Sequence, residues 1–386
     1  MAGPLSGVRV LDLTHILAGP FGTMLLAHMG ADVIKIEYGE GDRFRRSWMP
    51  PGSTADGYEF LAVNANKKCI TLNLKEPRGR EIFRELVAKC DVVVENFSLG
   101  VMDRMGFSYE ELKKINPGII YAASRGFGDS GPYAEARAYA YTVMAISGWI
   151  SKSWEFSGAY GTKTLGIGDE ASGVSLGLGI CAALYSKAMT GVGQKIEISM
   201  QESLLGFMVS TLHSHFEGIM TGAKPQQCAD GYMAFHFGGT TDAIWQRFAV
   251  AMGHPEMGSD PRFAGENDRR DNLAELQELV SSWLMATPKA ELWQRFRELG
   301  IASAPVLTIA EVIEDPHIKA RQAFTDVDHP ELGSVKLLAP WIRFSETPSK
   351  ITHAGGSLGQ HNHEVYGEVL GLSAEEIDEL AQAGVF

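Results

Sequence analysis

The chain has 386 residues, 45% of them hydrophobic and 21% charged, enough apolar sequence for a large core and a starting expectation of two domains. Its formal net charge of −13 argues against a general nucleic-acid or anionic-membrane binder, so any phosphate site must come from local cations. Four scattered cysteines without CxxC or zinc spacing, no export signal, and no run of about 18 apolar residues point to a cytoplasmic protein with reduced thiols and no membrane span.

In chain order, residues 8–13 predict a short strand. Gly19-Pro20 then opens a helix through Leu25, Leu26 and Met29, with Pro at its first position and Gly30 as the residue that ends it. Residues 32–36 and 70–74 predict strands. Pro77 opens a helix through Ile82, Leu86 and Val87, and 91–95 is a strand again. Ser108 and Glu111 have capping-box spacing ahead of Leu112 and Ile115, and 119–123 follows as a strand. This alternation predicts an α/β fold with a mostly parallel sheet covered by helices. From about Ala171 a long apolar helix carries Gly173, Gly177, Gly179, Ala182 and Ala183, small enough for close backbone packing. A strand at 194–200, a helix at 203–220 and a linker at 222–227 come next. Residues 230–325 are richer in charge and read as a smaller α+β domain. Past Gly333 strand-like and loop text returns, ending on the capping box of Ser373 and Glu376 and a helix to Ala383.

The segment LGIGDEASG (165–173) sets one carboxylate, Asp169, after two glycines and before the apolar run 174–189. That is a sharp turn delivering a carboxylate to the start of a buried helix. The position suits a helix N-cap. It also suits a bare nucleophile, because an aspartate with an ordinary pKa of about 3.9 is ionised near neutral pH and needs no base. No GxGxxG follows the first strand, where THILAGP (14–20) stands, and no Walker A sequence is present, so dinucleotide and P-loop readings are weak. His361 and His363, beside Glu364 and after Gly355, Gly356 and Gly359, read as loop histidines. His213 and His215 share that spacing and fall on different faces of a helix, so no metal is expected. Arg43, Arg45, Arg46, Lys67, Lys68, Lys75, Arg104 and Arg137 each read singly as solvated side chains. As a set on turns at strand ends they are placed to meet phosphates, because ligands of open α/β sheets gather there.

Several long blocks in order carry a resemblance: LSGVRVLDLTHILAGPFGTMLLAHMGADVIKIE (5–37), NANKKCITLNLK (64–75), DVVVENFSLGVMDRMGF (91–107), INPGIIYAASRGFGDSGP (115–132) and GDEASG (168–173). GVGQKIEISMQES (191–203), DPRF (260–263) and LGQHNHEVYGEVLGL (358–372) extend it over nearly the whole chain. The sequence resembles the class III CoA-transferases, which include formyl-CoA:oxalate, carnitine and benzylsuccinate CoA-transferases. The resemblance implies a Rossmann-like large domain from 1–222 plus 326–386, a small α+β domain from 223–325, and an interlocked homodimer. It implies coenzyme A or acyl-CoA as substrate, together with a small carboxylic acid. His15, Ile16, Leu17 and Ala18 would line the CoA tail, and Leu72 and Lys75 would sit near the adenine end. Asn96, Phe97, Arg104 and Arg137 would approach the pyrophosphate, the 3′-phosphate or the pantetheine. Asp169 falls on the family's catalytic aspartate, which passes CoA through an aspartyl thioester; succinyl-CoA is the expected donor.

The chain departs from the oxalate-type pattern at Leu17, where a Gln often stands, and at Tyr38, where an Arg often stands. The first changes the substrate pose; the second removes one CoA contact, for which Arg43 or Lys68 is a substitute. The run of consecutive glycines used as a lid is also missing. Gly238 and Gly239, before Thr240, are the nearest candidates beside the substrate, with a simple turn as their other reading. An α-methylacyl-CoA racemase is the rival within the superfamily. Its histidine would fall on Tyr139, also a candidate substrate-side residue, and tyrosine, with a pKa near 10, is a poor base at neutral pH. A CoA-binding partner subunit of a heteromeric transferase is a second rival, against which the presence of Asp169 argues. Tyr139, Tyr141, Met144, Trp149 and Trp154 suggest either an aromatic acceptor site or core.

Overall fold

The computed structural model describes residues 3–217, 224–235 and 241–386, except Trp48, Pro50, Pro51 and Ser53. The chain divides into two compact units, Met1–Leu212 with Ala320–Phe386, and His213–Lys319.

In the first unit, strands β1 (Arg9–Asp12), β2 (Asp32–Glu37), β3 (Lys68–Thr71), β4 (Val92–Glu95), β5 (Ile120–Arg125) and β6 (Lys195–Ser199) form a parallel sheet ordered β3-β2-β1-β4-β5-β6. The helices between them are α1 (Ala18–His28), α2 (Tyr58–Val63), α3 (Pro77–Val87), α4 (Val101–Arg104), α5 (Tyr109–Ile115), α6 (Ala140–Ile146), α7 (Trp149–Ser157) and α8 (Gly168–Thr190). After β6 come α9 (Met200–Phe207) and α10 (Val209–Phe216). Alternation along each strand sorts the side chains into two layers. Val10, Val33, Val92, Val94, Ile120 and Ala122 meet Leu26 of α1 and Leu176, Ile180 and Ala183 of α8. Leu11, Ile34, Ile36, Ile70 and Val93 meet Ile82, Phe83 and Leu86 of α3 and Leu112 of α5.

Glycines set how closely α1 and α8 cross. A Cβ on Gly173 would lie 2.7 Å from the Ala18 carbonyl oxygen and 2.9 Å from Phe21 Cδ1, and one on Gly22 would lie 2.9 Å from the Gly173 oxygen. Only hydrogen fits at these positions, which brings the N-terminal ends of the two helices together.

The second unit pairs an antiparallel sheet of β7 (Gln226–Cys228), β8 (Gly231–Phe235) and β9 (Ser303–Pro305) with α11 (Asp242–Ala251), α12 (Glu266–Asp271), α13 (Leu273–Ala286), α14 (Lys289–Glu298), α15 (Ile309–Glu314) and α16 (Pro316–Ala320). Trp245, Phe248, Phe263 and Phe296 fill its core. The chain then returns to the first unit through the hairpin β10 (Phe324–His329) and β11 (Gly333–Leu338), followed by α17 (Asn362–Val365) and α18 (Ala374–Gln382). This tail is fastened along β3. The Cys69 N–H donates to His361 Nδ1 at 3.0 Å, and the Tyr366 hydroxyl donates to the Thr71 carbonyl at 2.7 Å.

Two local expectations are corrected. The first helix begins at Ala18, so Pro20 is its third residue; proline is tolerated there because first-turn N–H groups have no partner within the helix. The helix expected at 203–220 is two helices as far as residue 217, and 218–220 lie outside the described residues. It starts earlier, where Ser199 Oγ accepts from the Glu202 N–H, and it breaks at Met208, whose N–H is shared between the Leu204 and Leu205 carbonyls.

Candidate active site

The sheet order reverses between β1 and β4, and ligands of open α/β sheets bind beyond the strand ends at such a point. Here the two strand ends are joined. The Asn96 side chain, just past β4, accepts from the His15 N–H at 2.9 Å and donates to the His15 carbonyl at 2.8 Å. The His15 and Phe97 rings lie 5.6 Å apart between centroids. His15, Ile16 and Leu17 are half-buried and Ala18 is buried, so the turn offers a shallow, mostly apolar surface. Burial, then the nearby Lys35 ammonium, lower the His15 pKa despite Asp42, Glu37 and Asp12, and the ring is neutral at pH 7.

Beneath this turn lies a set of buried charges. Asp12, Lys35, Glu37, Asp42, Arg45 and Lys67 are all buried. Lys35 Nζ donates to the Thr14 carbonyl at 2.8 Å and to Asp42 at 3.1 Å. Both Asp42 oxygens lie 3.1 Å from the Ile16 nitrogen. Ile16 has φ +70°, a conformation that β-branched residues avoid. Lys67 Nζ meets Asp12 at 3.0 Å, and Thr23 Oγ1 donates to the same carboxylate at 2.6 Å. A charge inside an apolar strand, as Lys35 in DVIKIE, or closing one, as Asp12 in RVLD, is the sequence signal for this set, because a buried charge needs a partner.

Asp169 is half-buried at the second position of α8, whose N-cap is Ile167. It is therefore not the cap. The N–H of Ala18, the first residue of α1, acts on its carboxylate and favours the ionised form, so the start of α1 lies beside this carboxylate at the start of α8. Burial raises its pKa to about 6, Glu170 adds to the rise, and the Ala18 N–H opposes it. Gly168 makes the turn possible: a Cβ there would lie 3.2 Å from both Ala140 Cβ and Met200 Sδ. An apolar bed of Ala18, Val143, Met144, Ile150, Ala171, Met200 and Leu204 lies against it.

The other expected positions fall out as follows. Tyr139, exposed, is the N-cap of α6, next to the Ala140 that touches the Asp169 turn. Tyr141 is also exposed, whereas Met144, Trp149 and Trp154 pack into the apolar bed. Lys75, Arg104 and Arg137 are exposed and have no carboxylate partner among the described residues. Leu72 is buried in the core, and its N–H donates to the Glu37 carbonyl at 2.7 Å. Lys68 is held by Asp32 at 3.2 Å and Glu364 at 2.9 Å, while Arg43 and Tyr38 are both exposed. Lys67 and Arg45, grouped in sequence with the phosphate candidates, belong to the buried set because their carboxylate partners lie on neighbouring strands and turns. Gly238 and Gly239 lie outside the described residues. Among the described residues no cluster of three or more His, Cys, Asp or Glu is arranged to hold a metal, and no helix is long and apolar enough to cross a membrane.

Comparison with known proteins agrees with this geometry. The sequence pattern of CoA-transferase family III matches residues 5–362. The formyl-CoA:oxalate CoA-transferase of Streptomyces coelicolor is 35% identical, with 100% of this chain and 99% of that protein covered. The succinyl-CoA–D-citramalate CoA-transferase of Chloroflexus aurantiacus is also 35% identical, with 97% and 96% covered. Among solved structures, a CAIB/BAIF family protein from Brucella suis superposes with a TM-score of 0.81 at 30% identity, covering 96% of this chain and 100% of that one. The chain belongs to CoA-transferase family III and is a CoA-transferase.

Proposed function

We propose that this enzyme moves CoA from an acyl-CoA, with succinyl-CoA as donor, to a free carboxylic acid through a thioester on Asp169. The observation that carries the reading is the half-buried Asp169 carboxylate in the first turn of α8, with the Ala18 N–H at the start of α1 acting on it. The carboxylate attacks the acyl-CoA carbonyl and expels CoA thiolate, leaving a mixed anhydride. The thiolate attacks the aspartyl carbonyl, giving the aspartyl-CoA thioester and the free donor acid. The acceptor carboxylate then attacks this thioester, and the released thiolate takes the acceptor's acyl group, restoring Asp169. Backbone N–H groups at facing helix ends suit the oxyanion of each addition. CoA would lie across the β1–β4 switch point, over the 15–18 turn and Phe97, with Lys75, Arg104 and Arg137 supplying positive charge for its phosphates. Tyr139, at the edge of the Asp169 turn, would meet the acid. The test is chromatography of reactions holding succinyl-CoA and a panel of carboxylates. New acyl-CoAs matching the acceptors support the reading; deuterium exchange beside the thioester without transfer would instead indicate a racemase.

The pH dependence follows from the Asp169 pKa. The nucleophile is the ionised form, so the rate is expected to fall about tenfold per pH unit below a limb near pH 6. Rates from pH 4.5 to 8 check it; a flat profile across pH 6 contradicts it.

A homodimer is part of the proposal. Along α8, Leu178, Tyr185 and Met189 are 70%, 70% and 69% exposed, an apolar stripe at helical spacing on a helix whose other face packs into the first unit. Leu178→Glu is expected to convert a dimer to monomer in sedimentation velocity; a wild-type monomer would contradict the proposal.

A further inference from the structure

We propose that Lys35 and Asp42 are positioning residues: their buried ion pair locks the turn at 14–18 in the shape that carries the Ala18 N–H to the Asp169 carboxylate. The inference rests on Asp169 being the nucleophile.

Neither side chain is exposed at all, so neither meets substrate. What they touch is the turn itself. Lys35 fixes the Thr14 carbonyl and Asp42 fixes the Ile16 N–H, one on each side of His15. Ile16 sits at φ +70°, where a β-branched residue does not stay without help, and Ala18 opens α1 two residues later. Asp42 is itself over-determined. Its N–H donates to Glu37 Oε1 at 2.8 Å, its Oδ1 accepts from the Phe44 N–H at 3.0 Å, and Glu37 is gripped by Arg45. A rigid charged lattice on β2 and the following turn is therefore transmitted to the strained residue before α1. Strain that the surroundings hold in place at a reaction centre is the expected mark of preorganisation.

Asp42→Asn tests this, because it keeps the shape and removes the charge. Its kcat is expected to fall about 10²-fold, as for a misplaced reacting group, with a smaller change in KM. The acid limb should also move to higher pH. Loss of the Ala18 N–H removes what opposes protonation of Asp169, and Glu170 is the one charged side chain acting on that carboxylate among the described residues. Adding Ile16→Gly should recover part of the lost kcat, since glycine takes the left-handed conformation without strain. Lys35→Met/Asp42→Leu replaces the pair by apolar volume, a change that tends to preserve stability. It is expected to keep the wild-type melting temperature and still lose turnover. An unmoved acid limb in Asp42→Asn, or a loss that follows melting temperature and is not relieved by Ile16→Gly, overturns the proposal. The two readings separate cleanly: activity surviving in Asp169→Ala removes the nucleophile, whereas an Asp169-dependent enzyme indifferent to Asp42→Asn removes only the positioning role.

Discussion

Asp169→Ala is expected to lower the rate of CoA transfer by about 10⁴-fold or more, with the fold intact. The size follows from the chemistry, because without the carboxylate there is no covalent intermediate and no second group in the turn replaces it. Glu170 is one residue along the helix and points elsewhere, since neighbours in sequence do not share a helix face. Alanine suits a first helical turn, so the loss is chemical rather than structural. Asp169→Asn should be as inactive and, in addition, more heat-stable than wild type at pH 8. The sign comes from the raised pKa of about 6 against about 3.9 for an unfolded aspartate. The folded protein holds this proton more tightly than the unfolded chain, so the group costs stability once pH rises above about 4, and in full above about 6. Replacing it by a neutral side chain removes that cost at pH 8, and the gain should vanish near pH 4. Paired melting curves at the two pH values check this; equal melting temperatures at pH 8 would mean that the carboxylate is not held in a desolvated site.

Asp12→Ala is expected to destabilise the protein by about 3–5 kcal/mol, the largest effect on stability of any single change in this site. Asp12 has no exposed surface and serves Lys67, Thr14 and Thr23 at once. Its removal leaves the Lys67 ammonium buried against the Pro20 carbonyl, Asn64 and Thr23 with no opposite charge beside it. Burial opposes charge on Asp12, but Lys67 and Lys35, with the two threonine hydroxyls, outweigh it and hold the carboxyl well below the usual range. A depressed folded pKa means that this stabilisation is present above about pH 4 and is lost as acid protonates the carboxylate. Urea unfolding at pH 7 measures the deficit, and a loss under about 1 kcal/mol would show that the ion pair contributes little.

Strands β1 to β5 were legible because each is a short, mostly apolar run buried on both faces, with helix signals at the expected spacing between them; β6, at the sheet edge, instead alternates exposed Lys195 and Glu197 with half-buried Ile196 and Ile198. Close backbone packing of α8 was legible too, since Gly173 and Gly177 stand out in an apolar helix, though not that α1 is what it packs on, and so was Asp169 from its place after Gly168. What sequence could not show is pairing. Nothing local links Asp12 to Lys67 or Lys35 to Asp42, so Lys67 and Arg45 read as phosphate candidates until the fold set carboxylates beside them. Asn96 was expected toward the pyrophosphate, the 3′-phosphate or the pantetheine of CoA; what sequence did not show is that its amide pairs with the His15 backbone, a partner 81 residues away. Leu72, expected near the adenine end, has its side chain in the core. The break at Met208 depends on hydrogen bonds of one turn and leaves no mark on apolar spacing.

The central claim, that Asp169 carries CoA covalently, is tested most directly by intact-protein mass after mixing with succinyl-CoA and then with hydroxylamine. The account predicts a CoA adduct on wild type that hydroxylamine removes, and none on Asp169→Ala. A wild type that turns over acceptor acids without ever gaining that mass, or an Asp169→Ala protein that still gains it, would contradict it.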